Sequence, residues 1–152
     1  MQLPNLQGRY ERDSTRARHR GQFCSRGNSR PLVAFNTKQT GRNDYKPLVL
    51  TIEDTDKHVV CGLWGRTSYG WLFVELLLIP EALRREGLGR QILLRAEQEA
   101  VSRGCHSAWL DTYQFQARGF YERLGYSCFG ELTDYPEGFS RYFMKKKLGA
   151  NT

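Results

Sequence analysis

The chain has 152 residues, of which 39% are hydrophobic and 26% are charged. A single domain of that length and composition buries enough surface to fold without disulfides or metals. No apolar run reaches the roughly 18 residues of a membrane span, and no apolar signal segment opens the chain, so we expect a cytoplasmic protein with no membrane partner.

The net charge of +7 is concentrated at the N-terminus. Residues 1–30 contain seven arginines against Glu11 and Asp13, giving +5, whereas residues 31–152 carry +2. The few apolar residues of this first segment show no period, which indicates a basic, poorly ordered N-terminal arm. An arginine-rich arm also suits a nucleic acid, which is the less favoured interpretation of residues 1–30.

The cysteines predict neither a metal site nor a disulfide framework. They are Cys24, Cys61, Cys105 and Cys128, so the closest two are 23 residues apart, and the three histidines are equally scattered. A zinc site needs closely spaced pairs of such ligands. We therefore expect no metal, and reduced thiols.

The periodic part of the chain begins near Pro31. Residues 30–41, RPLVAFNTKQTG, predict a short helix that Gly41 ends. The segments 46–53, 58–66 and 71–79 then predict three strands joined by short turns. Three consecutive strands of this kind form an antiparallel meander.

The second half of the chain alternates helices and strands. Apolar spacing predicts helices over 87–103 and 115–125, and strands over 107–112, 126–132 and 140–148. Strand 107–112 follows a strand and a helix, so we expect it to run parallel to strand 71–79 or to splay beside it. The predicted fold is α/β (α+β), a mixed, mostly antiparallel sheet flanked by helices, with ligands at the carboxyl ends of the parallel strands.

The segment between strand 71–79 and the next helix predicts an anion site. It reads RREGLGR, with Gly87 and Gly89 at the helix start and Arg84, Arg85 and Arg90 around them. Unpaired amides and the helix dipole attract anions there, and glycine lets a pyrophosphate approach the backbone. The pattern is neither a Walker A loop nor a three-glycine dinucleotide fingerprint.

Two motifs together resemble the GNAT superfamily of N-acetyltransferases. Arg84-x-x-Gly87-x-Gly89 resembles its Q/R-x-x-G-x-G/A phosphate loop. Downstream, QARGFYERLGY resembles its Ala-x-x-x-Tyr-x-x-x-Gly-aromatic signature, whose positions here are Ala117, Tyr121, Gly125 and Tyr126. The resemblance, which is to small bacterial members, covers residues 31–148 as a single acetyltransferase domain after the arm of residues 1–30.

The resemblance implies acetyl-CoA as the cosubstrate. The phosphate loop would hold the pyrophosphate, and the end of strand 71–79 would line the pantetheine, which adds to the sheet like an extra strand. The implied cofactor-binding residues are Leu77, Leu78, Ile79, Arg84, Arg85, Glu86, Gly87, Leu88, Gly89, Arg90 and Gln116. Phe115 replaces an Asn that often contacts the coenzyme, so that contact is lost or moves to Gln114 or Gln116.

Acetyl transfer needs a neutral amine and a protonated leaving thiol, and two residues suit these catalytic tasks. Tyr121, implied to lie beside the sulfur, would protonate the departing thiolate. Glu75 stands alone in an apolar strand, where burial would raise its pKa, and it would take the amine's proton through water. A solvated or ion-paired Glu75 is the alternative, and a backbone N–H near Leu77 would hold the oxyanion.

We therefore expect an acetyl-CoA-dependent N-acetyltransferase that acts on a primary amine of a small molecule or protein by direct attack in a ternary complex. The alternatives are a non-catalytic acyl-CoA-binding module, and an RNA- or ribosome-associated acetyltransferase that uses the arginine arm. A homodimer is compatible with each. The acceptor itself is not predicted, and the candidate walls of its pocket are Trp64, Tyr69, Trp71, Tyr113 and Phe115.

Overall fold

The computed structural model describes residues 29–149. They belong to two compact units, one holding residues 29–44 and the other residues 45–149. The predicted N-terminal arm therefore lies outside the described residues, apart from its last two positions. No helix of the described part is long and apolar enough to cross a membrane.

The first unit contains the helix α1 (Ser29–Thr40). Gly41 ends it in a left-handed conformation, with φ of 66°, and its amide donates to the Thr37 carbonyl at 2.8 Å. Glycine adopts that conformation without steric cost, which makes it a common helix stop. The predicted short helix and its terminator are confirmed.

The second unit is built on one six-stranded sheet. Its strands are β1 (Lys46–Glu53), β2 (Val59–Ser68), β3 (Trp71–Leu78), β4 (Ser107–Tyr113), β5 (Ser127–Leu132) and β6 (Arg141–Lys147). Their spatial order is β1–β2–β3–β4–β6–β5. β3 and β4 pair in parallel, and the other neighbours pair antiparallel. The mixed, mostly antiparallel sheet and the initial meander are confirmed.

A 3₁₀ turn (Glu81–Leu83) and two helices, α2 (Leu88–Ser102) and α3 (Arg118–Arg123), accompany the sheet. The buried apolar residues of α2 recur at helical spacing and join the core with strand residues such as Leu72, Leu110 and Met144. α3 begins later than predicted, because the Gln116 side-chain oxygen accepts a hydrogen bond from the Tyr113 amide at 3.0 Å and holds the preceding residues in a turn.

A largely buried polar cluster links α2 to β6 and to Tyr126, which follows α3. One carboxylate oxygen of Glu97 accepts from the Tyr126 hydroxyl at 2.9 Å, and the other accepts from the Lys146 ammonium at 2.6 Å. Burial and the adjacent Glu97 raise the pKa of the Tyr126 hydroxyl well above its ordinary value. Because each polar group has a partner, the cluster is tolerated in the interior and fixes the chain that follows α3.

Candidate active site

β3 and β4 separate at one point, which we call the fork. Their register runs from Trp71 opposite Ser107 to Val74 opposite Leu110, and the pairing between these two strands ends there. Beyond the fork, β4 no longer supplies hydrogen-bond partners to β3, so the backbone of β3 is available to a ligand that enters the sheet. The predicted splay of the two parallel strands is confirmed.

Glu75 is the bulged residue of β3, immediately beyond the fork. The register between β2 and β3 shifts between Trp64 and Gly65, and Glu75 is the extra residue on β3. Gly65 lets the backbones of β2 and β3 approach closely at this bulge. A Cβ atom at this position would lie 2.3 Å from the Phe73 carbonyl oxygen, which no larger residue could tolerate.

The expected burial of Glu75 is wrong. Its side chain is 42% exposed and forms an ion pair with Arg66 on β2. The Arg66 guanidinium also lies 4.6 Å from the centre of the Phe73 ring. Glu75 follows buried Val74, so the ordinary alternation of a strand turns its side chain away from the core, and the bulge then brings Leu77 rather than Leu76 back to the core side. The structure therefore shows the ion-paired alternative.

A second carboxylate lies next to the fork on β4. Asp111 follows Leu110 directly, and its Oδ1 accepts a hydrogen bond from Arg141 Nε at 2.7 Å. This pair was not predicted, because its members are 30 positions apart and only the β4–β6 register brings them together. The fork is thus flanked by two carboxylate–guanidinium pairs, one on each side.

Tyr121 is a buried phenol on α3. It is 8% exposed, and its ring meets those of Phe120 and Tyr126 at steep angles, with centroids 5.1 and 5.9 Å away. Burial, and secondarily the charge of Asp111, raises the pKa of its hydroxyl to about 12. The phenol therefore keeps its proton at neutral pH and can donate it.

The loop between β3 and α2 has the backbone of an anion site. Gly87 precedes α2 with φ of 80°, and Arg85 also adopts a left-handed φ of 70°. The first amides of α2 have no partner within the helix, so they can bind a ligand. Arg84 turns back toward the sheet, where its Nε donates to the Ile79 carbonyl at 3.2 Å and so ties the loop to the end of β3.

Gly89 has a packing role that the sequence did not reveal. A Cβ atom on it would lie 3.3 Å from the Phe120 ring and 3.5 Å from the Ile79 side chain. Because glycine lacks a Cβ atom, the first turn of α2 can lie against α3 and the chain after β3. The two glycines of the loop therefore differ in purpose, with Gly87 serving backbone conformation and Gly89 serving close packing.

The other predicted coenzyme contacts follow β3 and line the start of α2. Leu77 and Ile79 pack against the core, whereas Leu78 is exposed. The charged side chains of the loop are exposed and Leu88 is half-buried, the charged set being Arg84, Arg85, Glu86 and Arg90. These positions form one continuous stretch of chain that begins beyond the fork.

Two glutamines were predicted as alternative coenzyme contacts after β4. The Gln116 oxygen accepts from the Tyr113 amide at 3.0 Å, and the Gln114 oxygen accepts from the Ser140 amide at 3.1 Å. Both side chains are therefore oriented through their carbonyl oxygens. Their NH₂ groups are the donors that each could offer to a ligand.

Within the described residues, Asp54, Asp56 and His58 form the group whose geometry could suit a metal ion. All three are exposed in the turn between β1 and β2, and Asp54 Oδ1 accepts from the amides of Asp56 and His58 at 2.9 Å each. The backbone hydrogen bond from His58 contributes most to lowering the pKa of Asp54. These hydrogen bonds stabilise the turn, which explains why the three side chains lie close together. The expectation that the protein binds no metal stays a prediction.

The chain is similar to several known proteins. Residues 11–126 match the model of the Acetyltransferase (GNAT) family. The chain is 41% identical over 118 residues to an acetyltransferase of Agrobacterium fabrum strain C58, covering 78% of this chain and 86% of that protein. It is 39% identical over 88 residues to the blasticidin-S acetyltransferase of Streptomyces morookaense, covering 57% and 65% respectively. A solved acetyltransferase from Bacillus cereus ATCC 14579 is 26% identical with a TM-score of 0.72, covering 84% of this chain and 96% of that one.

Proposed function

The chain belongs to the GNAT acetyltransferase family, and from that membership we propose that it transfers the acetyl group of acetyl-CoA to a primary amine. One structural observation carries the proposal: β3 and β4 separate beyond the pair Val74 and Leu110, and a helix preceded by Gly87 follows β3. A ligand held by that helix start has its reactive end directed to the opening in the sheet.

Acetyl-CoA is the cosubstrate. Its pyrophosphate binds the amides from Arg85 to Arg90, where the dipole of α2 and three arginines favour an anion. Its pantetheine extends along Leu77, Leu78 and Ile79, and bonds the backbone of β3 beyond the fork. The Gln116 carboxamide, oriented by the Tyr113 amide, supplies a further contact.

The reaction is a direct acyl transfer in a ternary complex. The amine nitrogen attacks the thioester carbonyl carbon, the new C–N bond forms, and the C–S bond breaks to release the coenzyme thiolate. A β3 backbone N–H near Leu77 holds the oxyanion. The thiolate takes the hydroxyl proton of Tyr121, and the proton that the nitrogen loses as the amide forms returns to the Tyr121 oxygen, so that the phenol is restored after each turnover.

The amine must lose a proton before it attacks, and Glu75 accepts it through water. Its position supports this role, because Glu75 directly follows the last residue of β3 that pairs with β4 and its carboxylate is in contact with solvent. Arg66 occupies the carboxylate in the structure, so an incoming ammonium competes with the guanidinium for the same oxygens. The Glu75 carboxylate would thus both bind the acceptor's ammonium group and accept its proton.

The acceptor class is tested with a panel of amines and a thiol reagent. The panel contains blasticidin S, because a relative is named for that substrate, together with a polyamine, an aminoglycoside and a lysine peptide. We expect one class to release coenzyme A thiol in equal amounts with acetylated amine, counted by mass spectrometry.

Binding and turnover are separated in the same experiment. Acetyl-CoA that binds the native state raises the melting temperature by mass action. A rise without thiol release from any amine would favour the non-catalytic acyl-CoA-binding module. The absence of both a rise and turnover would contradict the proposed function altogether.

A further inference from the structure

Aromatic side chains that the proposed chemistry does not use meet where β4 ends, two from the end of β4 and the chain after it and two from the β5–β6 connection. We call Tyr113, Phe115, Tyr135 and Phe139 the ring cluster. Three of them are exposed, Phe115 to 57% of its surface. Large apolar rings gathered at the surface, next to a site for chemistry, are typical of a ligand subsite.

The ring cluster forms a right-angled corner. The Phe115 ring is nearly parallel to Tyr113, with an interplanar angle of 3° and centroids 5.2 Å apart. It is nearly perpendicular to Phe139, at 84° and 5.2 Å. A flat ring in this corner can stack on one side chain while meeting the other edge to face, and both contacts are favoured by aromatic quadrupoles.

The corner is held in place before any ligand arrives. The Gln114 amide donates to the Ser140 carbonyl at 2.8 Å, and the Ser140 amide donates to the Gln114 side-chain oxygen at 3.1 Å. These bonds tie the chain after β4 to the β5–β6 connection, so the rings from the two connections keep their relative position. Binding then costs little ordering entropy.

The charge at the back of the corner is balanced. The Arg141 guanidinium lies 5.0 Å from the centre of the Tyr113 ring and 5.3 Å from that of Tyr135. Asp111 pairs with it at 2.7 Å and neutralises its charge. The corner therefore suits an uncharged planar group better than an ionic one.

The corner lies a short distance from the fork along β4. Tyr113 is the third residue after Leu110, about 10 Å further along the strand. A molecule whose ring lies in the corner can reach the fork with an amine on a short chain. We propose that the acceptor carries a planar ring joined to its primary amine by a short flexible chain, and that the ring cluster binds that ring. This inference rests on the proposed function.

The test compares two acceptors, 4-phenylbutylamine and 4-cyclohexylbutylamine, with saturating acetyl-CoA. They share amine and chain and differ in the flatness of the ring, and the saturated ring is the more hydrophobic. We expect a higher kcat/KM for the phenyl compound, by about threefold to tenfold for each ring contact. Phe115→Leu and Phe139→Leu should each reduce this ratio, and Phe129→Leu, an exposed aromatic on β5, should not.

A binding measurement keeps the inference testable without turnover. With coenzyme A present, saturation-transfer NMR should show the phenyl protons of 4-phenylbutylamine in contact with the protein, and Phe115→Leu should weaken the signal. Acetylation of both amines at one rate would overturn the ring subsite and leave the proposed function intact. Phenyl contact without acetylation of any amine would support the subsite and count against the function. The leucine variants could instead turn a dimer into a monomer while the kcat/KM ratio of the two acceptors stays unchanged. That result would show that a second copy of the chain covers the rings, and it would also overturn the inference.

Discussion

Gly65 of β2 and Phe73 of β3 approach each other more closely than any side chain on Gly65 would allow. A Cβ atom on Gly65 would lie 2.3 Å from the Phe73 carbonyl oxygen and 3.4 Å from the Val74 Cα atom. Both obstacles are backbone atoms, so they cannot swing aside. This contact accompanies the bulge at Glu75, and it links one glycine on a neighbouring strand to the placement of the carboxylate at the fork.

Gly65→Ala should therefore destabilise the protein and misplace Glu75. We expect a loss of about 1–3 kcal/mol in the free energy of unfolding, the range for a group forced into filled space, measured by urea denaturation. Turnover should fall in the protein that remains folded. Gly119→Ala is the matched control, because its Cβ would meet only the Arg123 guanidinium at 3.6 Å within a helix. It should be neutral or stabilising. Equal stability of the two variants would show that the backbones of β2 and β3 can move apart to accept a Cβ atom.

Gly87 and Gly104 allow a test of the anion site. Both are left-handed, with φ of 80° and 85°, and they flank opposite ends of α2. A Cβ on Gly87 would make only an ordinary contact with the Gln91 side chain at 3.9 Å, and a Cβ on Gly104 would meet nothing within 4 Å. Valine at either position should cost about 1–2 kcal/mol from backbone strain. Only Gly87→Val should lose the rise in melting temperature that acetyl-CoA produces. A normal rise in Gly87→Val would refute the assignment of the pyrophosphate to this loop.

Much of the fold follows from local patterns in the sequence. The strands, α2 and the glycine stops obey periodicity and backbone preference, which neighbouring residues determine. The loop before α2 and Tyr121 were predicted because their residue types are required at fixed spacing. The structure places this loop between β3 and α2 and Tyr121 on α3, and their roles stay proposals.

The features that the sequence did not predict arise from contacts between distant segments. The return of Leu77, rather than Leu76, to the core side depends on a bulge that Gly65 accommodates from another strand. The pairing of Asp111 with Arg141 depends on β6 lying between β4 and β5. Neither the identity of a cross-strand neighbour nor a shift in register can be read from the periodicity of one strand.

Tyr121 and its neighbour Tyr126 separate a chemical role from a packing role. Tyr121→Phe keeps the ring and removes the hydroxyl proton, so kcat should fall by about 100- to 10,000-fold while the Kd for acetyl-CoA stays nearly constant. Tyr126→Phe removes the hydrogen bond to buried Glu97. That change should cost about 1–3 kcal/mol of stability and leave kcat close to normal. Turnover in Tyr121→Phe within threefold of the parent would make Tyr121 a core residue and assign the proton to water.

The raised pKa of Tyr121 also predicts a loss of stability in alkali. The pKa of about 12 in the folded protein exceeds the ordinary 10 of the unfolded chain. The folded state therefore binds more protons between these values, and its stability falls as the pH rises from 10 toward 12. The contribution of Tyr121 is complete below pH 10, and roughly 1 kcal/mol of it should be lost by pH 11. The pKa of Tyr126 shifts in the same direction, so the difference between the parent and Tyr121→Phe isolates the contribution of one residue.

In urea titrations, the parent should lose more stability than Tyr121→Phe between pH 9 and pH 11. Equal losses would mean that the Tyr121 hydroxyl ionises in the folded protein as it does in water.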